Sequence, residues 1–297
     1  YYLHLMDYIR YPWLDLRMHG LFNDADFTSK LGHELDAKRA SLMGYLVEKE
    51  FPMVGKAAVV DIGWRGTIQD NLAYLLPNVC IDGFYLGLDK FLNQQPVNVR
   101  KFSFGPNLNS AESENVHLFA KVSPIEMLCN SPNGSVVGYV NVGGTYSAKR
   151  LVVGAENASF HNSVYYFQQG VVFAAKFLGE TIRRHVVPVQ TLRELAIRNW
   201  LDICLNPPVV IADAYFSLSQ NESFGLGRFE DKTAVIPTAV WVKGFSSPGG
   251  FKNLVSCLEK TGWPEGYLAK RGLGWFWYFV KFSREFKKKI KIFIGRS

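Results

Sequence analysis

The segment from Lys56 to Leu88 constrains the fold of this chain more than any other. Lys56–Val60 is an apolar run typical of a buried strand, Asp61–Thr67 is a turn with two glycines, and Ile68–Leu76 has an apolar helical face. A second strand is predicted at Ile81–Leu88. Because strand, helix and strand in this order form a parallel crossover, we expect an α/β fold with a Rossmann-like, mainly parallel sheet flanked by helices.

Secondary-structure signals in the rest of the first half are weaker. The periodicity of Asn23–Glu50 predicts a helix. Asn93–Ser113 is rich in Asn, Pro, Gly and Ser, which predicts a long loop. Two strands are predicted at Val136–Val142 and Leu151–Val153, joined by a turn at a pair of glycines.

The second half of the chain is predicted to be helical and irregular. Ser163–Asn206 has the pattern of two helices interrupted near Pro188. Pro207–Pro264 contains many helix-breaking residues, which indicates irregular structure.

Composition excludes several classes of protein. With 48% hydrophobic and 20% charged residues over 297 positions, the chain supports a large core rather than disorder. No stretch supplies the roughly 18 apolar residues of a membrane span. The four cysteines are too far apart for a zinc knuckle or a redox pair. The formal charge of +7 favours an anionic partner, but no nucleic-acid-binding motif occurs, so we do not expect nucleic acid to be that partner.

The turn after the first strand carries the candidate site. Asp61 stands at the carboxyl end of the strand, where ligands bind in open α/β sheets. Gly63 and Gly66 let the backbone turn sharply and approach an anion closely. The helix start at Gly66 or Thr67 offers free N–H groups and the positive end of a helix dipole, and Arg65 adds donors matched to phosphate oxygens. The alternative is an ordinary strand-to-helix turn with an exposed arginine.

Four stretches of the chain resemble one family. Asp61–Gln69 with the strand Gly83–Leu88, and Glu126–Cys129 with Pro132–Tyr139, are similar to the C-terminal module of two-domain bacterial polysaccharide proteins. Those proteins carry a haloacid-dehalogenase-type phosphatase at their N-terminus. The resemblance covers about residues 38–149.

The resemblance implies a glycosyltransferase of surface-polysaccharide biosynthesis, acting on an O-antigen, as in lipopolysaccharide, or on a capsule. In the characterised branch this module is a phosphoribosyltransferase, which moves ribose 5-phosphate from phosphoribosyl pyrophosphate to a glycan. The phosphatase domain then removes the 5-phosphate. Such a protein is expected in the bacterial cytoplasm, at the inner face of the cytoplasmic membrane, with a lipid-linked glycan acceptor. Because this chain starts at Tyr1 rather than Met, we expect it to begin inside a longer polypeptide. The resemblance implies that an upstream domain, if there is one, would be the phosphatase.

Specific residues receive roles from the turn chemistry and the resemblance together. Asp61 and Glu126 are the expected catalytic residues and candidate Mg²⁺ ligands, with Glu126 as a general base for the acceptor hydroxyl. Local pattern alone also fits Glu126 as a surface or capping carboxylate. The expected donor-phosphate site consists of Gly63, Trp64, Arg65, Gly66, Thr67 and Gln69.

Two other functions remain open at the level of sequence. In the first, the chain is a glycosyltransferase that uses a nucleotide-sugar donor. In the second, the chain is a non-catalytic module that binds a glycan or a membrane and positions an upstream domain. Under the main reading, residues 1–150 form a donor-binding α/β region and residues 151–297 a mainly helical acceptor-side region, unless the chain is a single domain.

Residues 24–28, Asp-Ala-Asp-Phe-Thr, spell the nucleophile motif of haloacid-dehalogenase phosphatases. In those enzymes a buried strand precedes the first Asp, and a Gly-Asp motif follows downstream. Neither feature occurs here. We therefore predict that Asp24 is a helix N-cap and that this chain has no phosphatase activity.

The C-terminal segment, residues 274–297, combines aromatic residues from Trp275 to Phe282 with clustered lysines from Lys287 to Lys291. Aromatic rings beside lysines are typical of an interfacial helix on an anionic membrane, so we expect a peripheral membrane contact there. The alternative is that the aromatic residues pack on the core and the lysines are solvated.

Overall fold

The computed structural model describes residues 12–110, 122–152, 154–217, 219–221, 229–231 and 235–282. The chain divides into two compact units, one of Tyr1–Gly55 with Val136–Arg150 and one of Lys56–Ser135 with Leu151–Ser297. The functional division expected near residue 150 stays a prediction.

Helices dominate the described residues. In chain order they are α1 Leu16–Asn23, α2 Ala25–Glu48, α3 Thr67–Leu75, α4 Ser123–Leu128, α5 Gly154–Ser159, α6 Tyr165–His185, α7 Val189–Leu205, α8 Val209–Ser217, α9 Thr238–Ser246, α10 Pro248–Glu259 and α11 Pro264–Ala269. Residues 274–282 are also helical. The strands are β1 Gly55–Asp61, β2 Val79–Tyr85, β3 Val99–Ser103, β4 Ser135–Val142, β5 Thr145–Leu151, β6 Ser219–Asn221 and β7 Phe229–Asp231.

The first unit pairs the two N-terminal helices with the β4–β5 hairpin. Asp24 is the N-cap of α2 and its carboxylate accepts a hydrogen bond of 2.8 Å from the Phe27 N–H, which confirms the cap prediction. Gly143 and Gly144 form the hairpin turn with φ of 62° and 90°, a region that favours glycine. Strand β5 lies earlier than predicted because its alternating polar residues give no apolar run.

The second unit contains a three-stranded parallel sheet in the order β1-β2-β3, with α3 connecting β1 to β2. Ile81 pairs with Val99 and Tyr85 with Ser103, so β2 and β3 end at the same edge of the sheet. This arrangement confirms the predicted α/β fold with a parallel sheet, flanking helices and a helical C-terminal region.

Two details of this sheet differ from prediction. Strand β1 was expected to be buried, yet Val60 is 86% exposed, because alternate side chains of β1 point to a face of the sheet that is left open to solvent. Strand β3 lies inside the segment predicted as a long loop. Its sequence Val-Arg-Lys-Phe-Ser places charged residues in the strand, so the apolar signal was lost among the surrounding Asn and Pro residues.

The C-terminal part of the second unit is more helical than predicted. The interruption near Pro188 is confirmed, since it separates α6 from α7. The supposedly irregular stretch from Pro207 to Pro264 instead holds several helices. Pro248 and Pro264 stand in the first turn of α10 and α11, where proline favours a helix start rather than breaking the helix.

These helices bury a large aromatic and aliphatic cluster, here called the helical core. Its fully buried members include Trp263, Tyr215, Leu254, Leu258 and Val280. The Trp263 indole N–H donates to the Cys204 carbonyl at 2.8 Å, so its polar atom is satisfied inside the core.

The described part of the C-terminal segment contributes to this core. Phe276, Trp277 and Val280 are buried, as the alternative interpretation predicted, whereas Trp275 and Phe282 are exposed. The lysine cluster lies outside the described residues. Within the described part of the chain, no helix has both the length and the apolarity needed to cross a membrane.

Candidate functional site

The predicted strand, turn and helix form as expected around Asp61 and Gly66. Asp61 is the last residue of β1, and its carboxylate accepts a hydrogen bond of 2.8 Å from the Gly63 N–H. Gly66 is the N-cap of α3 with φ of 67°, in the left-handed region, and Thr67 is the first helical residue. Because Gly66 has no side chain to cap α3, the first N–H groups of the helix are left to an external acceptor.

Gly66 is also required by its surroundings. A Cβ atom at this position would lie 2.7 Å from Lys101 Cε and 2.8 Å from Tyr85 Oη. Both distances are shorter than real Cβ contacts, so a larger residue would displace the side chains beneath the turn. Glycine at position 66 therefore allows both the left-handed turn and the close approach of its backbone to Lys101 and Tyr85.

A buried ion pair lies directly beneath this turn. The Lys101 ammonium is 2.7 Å from the Asp70 carboxylate of α3 and donates to the Arg65 carbonyl at 3.1 Å. The Lys101 side chain is only 3% exposed. Sequence reasoning missed this cation because Lys101 lies in the stretch predicted as a loop, where nothing indicated burial.

Gln69 and Tyr85 complete what we call the sheet-edge network, formed by Gln69, Asp70, Tyr85 and Lys101. The Gln69 amide donates to the carbonyls of Ile81 at 2.8 Å and Arg100 at 3.0 Å, and accepts from the Tyr85 hydroxyl at 2.7 Å. Burial raises the pKa of Tyr85, and the nearby carboxylates of Asp61 and Asp70 raise it further. The hydroxyl therefore stays protonated and donates.

This geometry removes the side chain of Gln69 from the predicted phosphate site. Its side chain is 1% exposed, and both of its amide hydrogens are bonded to backbone carbonyls. The Gln69 side chain therefore ties α3 to β2 and β3 and has no donor left for a phosphate. Its backbone N–H, in the first turn of α3, keeps the predicted phosphate role, which stays a prediction.

The guanidinium of Arg65 already has protein partners. This guanidinium lies 2.6 Å from the Asp89 carboxylate and also donates to the Lys90 carbonyl. The predicted role of Arg65 in binding phosphate therefore requires an exchange, in which the phosphate replaces Asp89 as its partner.

Trp64 and Glu126, two predicted site residues 62 positions apart, are in direct contact. The Trp64 indole N–H donates to the Glu126 carboxylate at 2.6 Å, which holds helix α4 against the turn. Partial desolvation raises the pKa of the adjacent Cys129 thiol, and the charge of Glu126 raises it further, so this thiol stays protonated. On its other side, the Trp64 ring packs against Trp200 of α7 with ring centres 6.0 Å apart.

The remaining predicted residues are placed as follows. Thr67 is exposed at the start of α3, and Gly63 is half-buried beside the Asp61 carboxylate. The described residues contain no group of three or more His, Cys, Asp or Glu side chains that could hold a metal. Mg²⁺ is commonly bound through one or two carboxylates plus substrate phosphates, a mode that Asp61 fits, and the metal stays a prediction.

Comparison with known proteins does not show which family the chain belongs to. No family model matches the chain, and no curated protein matches it either. The roles expected from the family resemblance therefore stay predictions.

Proposed function

We propose that the chain is a glycosyltransferase of bacterial surface-polysaccharide biosynthesis, which transfers a phosphoribosyl group from phosphoribosyl pyrophosphate to a glycan of an O-antigen or capsule. One observation carries the proposal. An uncapped helix start at Gly66 lies at the carboxyl edge of a parallel sheet, and the buried Lys101–Asp70 ion pair holds it from beneath. The backbone N–H groups and the positive end of the helix dipole at this place favour an anionic ligand.

The donor would bind with its pyrophosphate at the head of α3. The N–H groups of Thr67 and its neighbours bond the phosphate oxygens, and Arg65 exchanges Asp89 for phosphate. Mg²⁺ held by Asp61 would supply further positive charge to the pyrophosphate. Stabilising the charge on this leaving group is the main catalytic task of the turn.

Glu126 would serve as the general base. The acceptor hydroxyl oxygen forms a bond to the anomeric carbon, the bond from that carbon to pyrophosphate breaks, and the hydroxyl proton passes to the Glu126 carboxylate. The indole of Trp64 already holds one oxygen of this carboxylate, which orients the other.

Incubation of the protein with phosphoribosyl pyrophosphate and an acceptor glycan tests the proposal directly. We expect the wild type to release pyrophosphate from phosphoribosyl pyrophosphate only in the presence of acceptor glycan. Glu126→Gln should lower the rate by about 100-fold or more, since general-base catalysis contributes that much. Asp61→Asn should also lower it. Glu180→Gln, at an exposed position of α6, is the matched control and should retain the wild-type rate.

The other outcomes separate the alternatives. Turnover with a nucleotide sugar alone would replace the phosphoribosyl donor. Polymer synthesis that is unchanged in the Asp61 and Glu126 variants would instead favour a non-catalytic module.

The same proposal places the protein at the inner face of the cytoplasmic membrane, where a lipid-linked acceptor lies. Trp275 and Phe282 support this placement, because they are exposed large hydrophobic residues in the C-terminal segment. The double variant Trp275→Ser and Phe282→Ser should bind less to anionic lipid vesicles in a flotation assay. Binding equal to the wild type would remove this segment as the contact.

A further inference from the structure

A polar cleft lies between helix α7 and the residues that follow β3. Its volume is about 580 Å³, and one wall is the 105–110 loop. We call it the α7 cleft. Ligand pockets for small molecules have volumes of roughly 300–1,000 Å³, so this cleft has room for a monosaccharide phosphate.

The walls of the α7 cleft are fixed by hydrogen bonds. Arg193 of α7 donates to the carbonyls of Phe104 and Gly105, which joins the helix to the loop. The loop is itself bonded to the chain after β2, since the N–H of Leu88 donates to the Pro106 carbonyl at 2.8 Å. Such a cleft is formed before any ligand arrives, which lowers the ordering cost of binding.

One stripe of α7 faces the cleft with a mixture of charged, polar and apolar side chains. Its members recur at helical spacing: Gln190, Glu194, Ile197, Arg198 and Leu201. Arg198 is exposed and makes no hydrogen bond or ion pair with any other described residue. Its guanidinium therefore differs from those of Arg65 and Arg193, which already hold partners.

We propose that the α7 cleft binds a phosphorylated sugar, with Arg198 as the phosphate ligand. A guanidinium fork matches phosphate oxygens. One oxygen of the Glu194 carboxylate accepts from the Gln190 amide at 3.0 Å, which leaves the other oxygen for a sugar hydroxyl. Ile197 offers an apolar surface for the sugar ring. A bare anion would gain nothing from Glu194, so the lining favours a sugar phosphate over inorganic phosphate.

This inference goes beyond the proposed transfer reaction, because a sugar phosphate can bind in the cleft whether or not the turn binds the donor. The α7 cleft is linked to that turn through the contact between Trp200 and Trp64. A ligand in the cleft would therefore lie against the same helix that supports the Trp64 side of the candidate site.

Isothermal titration calorimetry at low ionic strength tests the inference with three probes: ribose 5-phosphate, inorganic phosphate and ribose. We expect ribose 5-phosphate to bind most tightly to the wild type. Arg198→Gln should weaken that binding by about tenfold or more, the value of a charge-assisted hydrogen bond. Arg183→Gln, at an exposed arginine in the last turn of α6, is the matched control and should bind like the wild type.

Further variants separate the parts of the inference. Glu194→Gln should reduce the preference for ribose 5-phosphate over inorganic phosphate. Equal binding by wild type and Arg198→Gln, or no binding by the wild type, would overturn the site. Equal affinity for the two phosphates would overturn the sugar specificity. Far-UV circular dichroism checks that each variant is folded.

Discussion

The helical core and the sheet-edge network belong to the same compact unit but are stabilised in different ways. Trp263 and Leu254 are fully buried among apolar neighbours, and the core gains its stability from area removed from water. In the sheet-edge network, Gln69 and Lys101 are buried instead, while the apolar side chains of Val60 and Ile68 nearby are exposed. Polar groups in the interior are stable only when their partners are in place.

The difference shows where a ligand site can be built. An apolar core tolerates small shifts of its side chains, because dispersion and burial have little directionality. A buried network of hydrogen bonds holds its atoms at defined distances, so it can position the backbone N–H groups at the start of α3. Variants of the two regions test this contrast, in order of decreasing loss of stability.

Trp263→Ala should cause the largest loss of stability, about 3–5 kcal/mol, as for other large-to-small changes of aromatic core residues. The substitution opens a cavity beside Tyr215 and Phe216 and removes the donor that satisfies the Cys204 carbonyl. Chemical denaturation measures the free energy of unfolding. Trp275→Ala is the control, since this indole is 63% exposed and its removal should cost less than about 0.5 kcal/mol.

Lys101→Met should lower the free energy of unfolding by about 3 kcal/mol, because it leaves the Asp70 carboxylate buried without its cation. The double variant Asp70→Leu and Lys101→Met removes both charges and should recover most of that loss. If the double variant lost as much free energy of unfolding as the two single variants added together, the ion pair would not be what stabilises the sheet-edge network.

Gly66→Ala should cost about 2 kcal/mol, from the left-handed backbone and from the contact with Lys101 and Tyr85 together. Gly272→Ala is a close control. Its φ of 68° nearly equals the 67° of Gly66, but nothing lies within 4 Å of its Cβ position. The control should cost about 1 kcal/mol, so the difference measures the close approach alone. Equal losses at the two glycines would show that Gly66 is needed only for its backbone conformation.

The smallest effect is expected at the exposed pair of Asp82 and Arg100, whose charged groups are 2.6 Å apart. The Arg100 guanidinium lowers the pKa of Asp82 in the folded protein. A carboxyl with a lowered folded-state pKa stabilises the protein above its unfolded pKa of about 4, and the stabilisation is lost as the pH falls further. The stability difference between wild type and Asp82→Asn should therefore shrink as the pH falls below about 4.

Arg100→Gln serves as the second variant for this pair. Its loss of stability should show the same pH dependence as that of Asp82→Asn, and the double variant should lose no more stability than either single variant. A difference that stayed constant across this pH range would remove the ion pair as its cause.

Local sequence determined the path of the chain through the candidate site. The apolar run before Asp61 predicted β1, the two glycines predicted the turn, and the periodicity after Thr67 predicted α3. Each signal lies within a few residues of the structure it specifies, since strand pattern, glycine conformation and helix periodicity are local properties. The cap at Asp24 was predictable for the same reason.

The choice of side chains that stand where a ligand would bind came from the packing of segments distant in sequence. Gln69 looked like a donor for phosphate but bonds to Ile81 and Arg100, and Arg65 pairs with Asp89. Lys101 became part of the site because β3 lies beside β2, and a strand pairing across many residues leaves no mark in the local pattern. The physical reason is that partners of buried polar groups are chosen by the packing of distant segments, which periodicity and residue type do not encode.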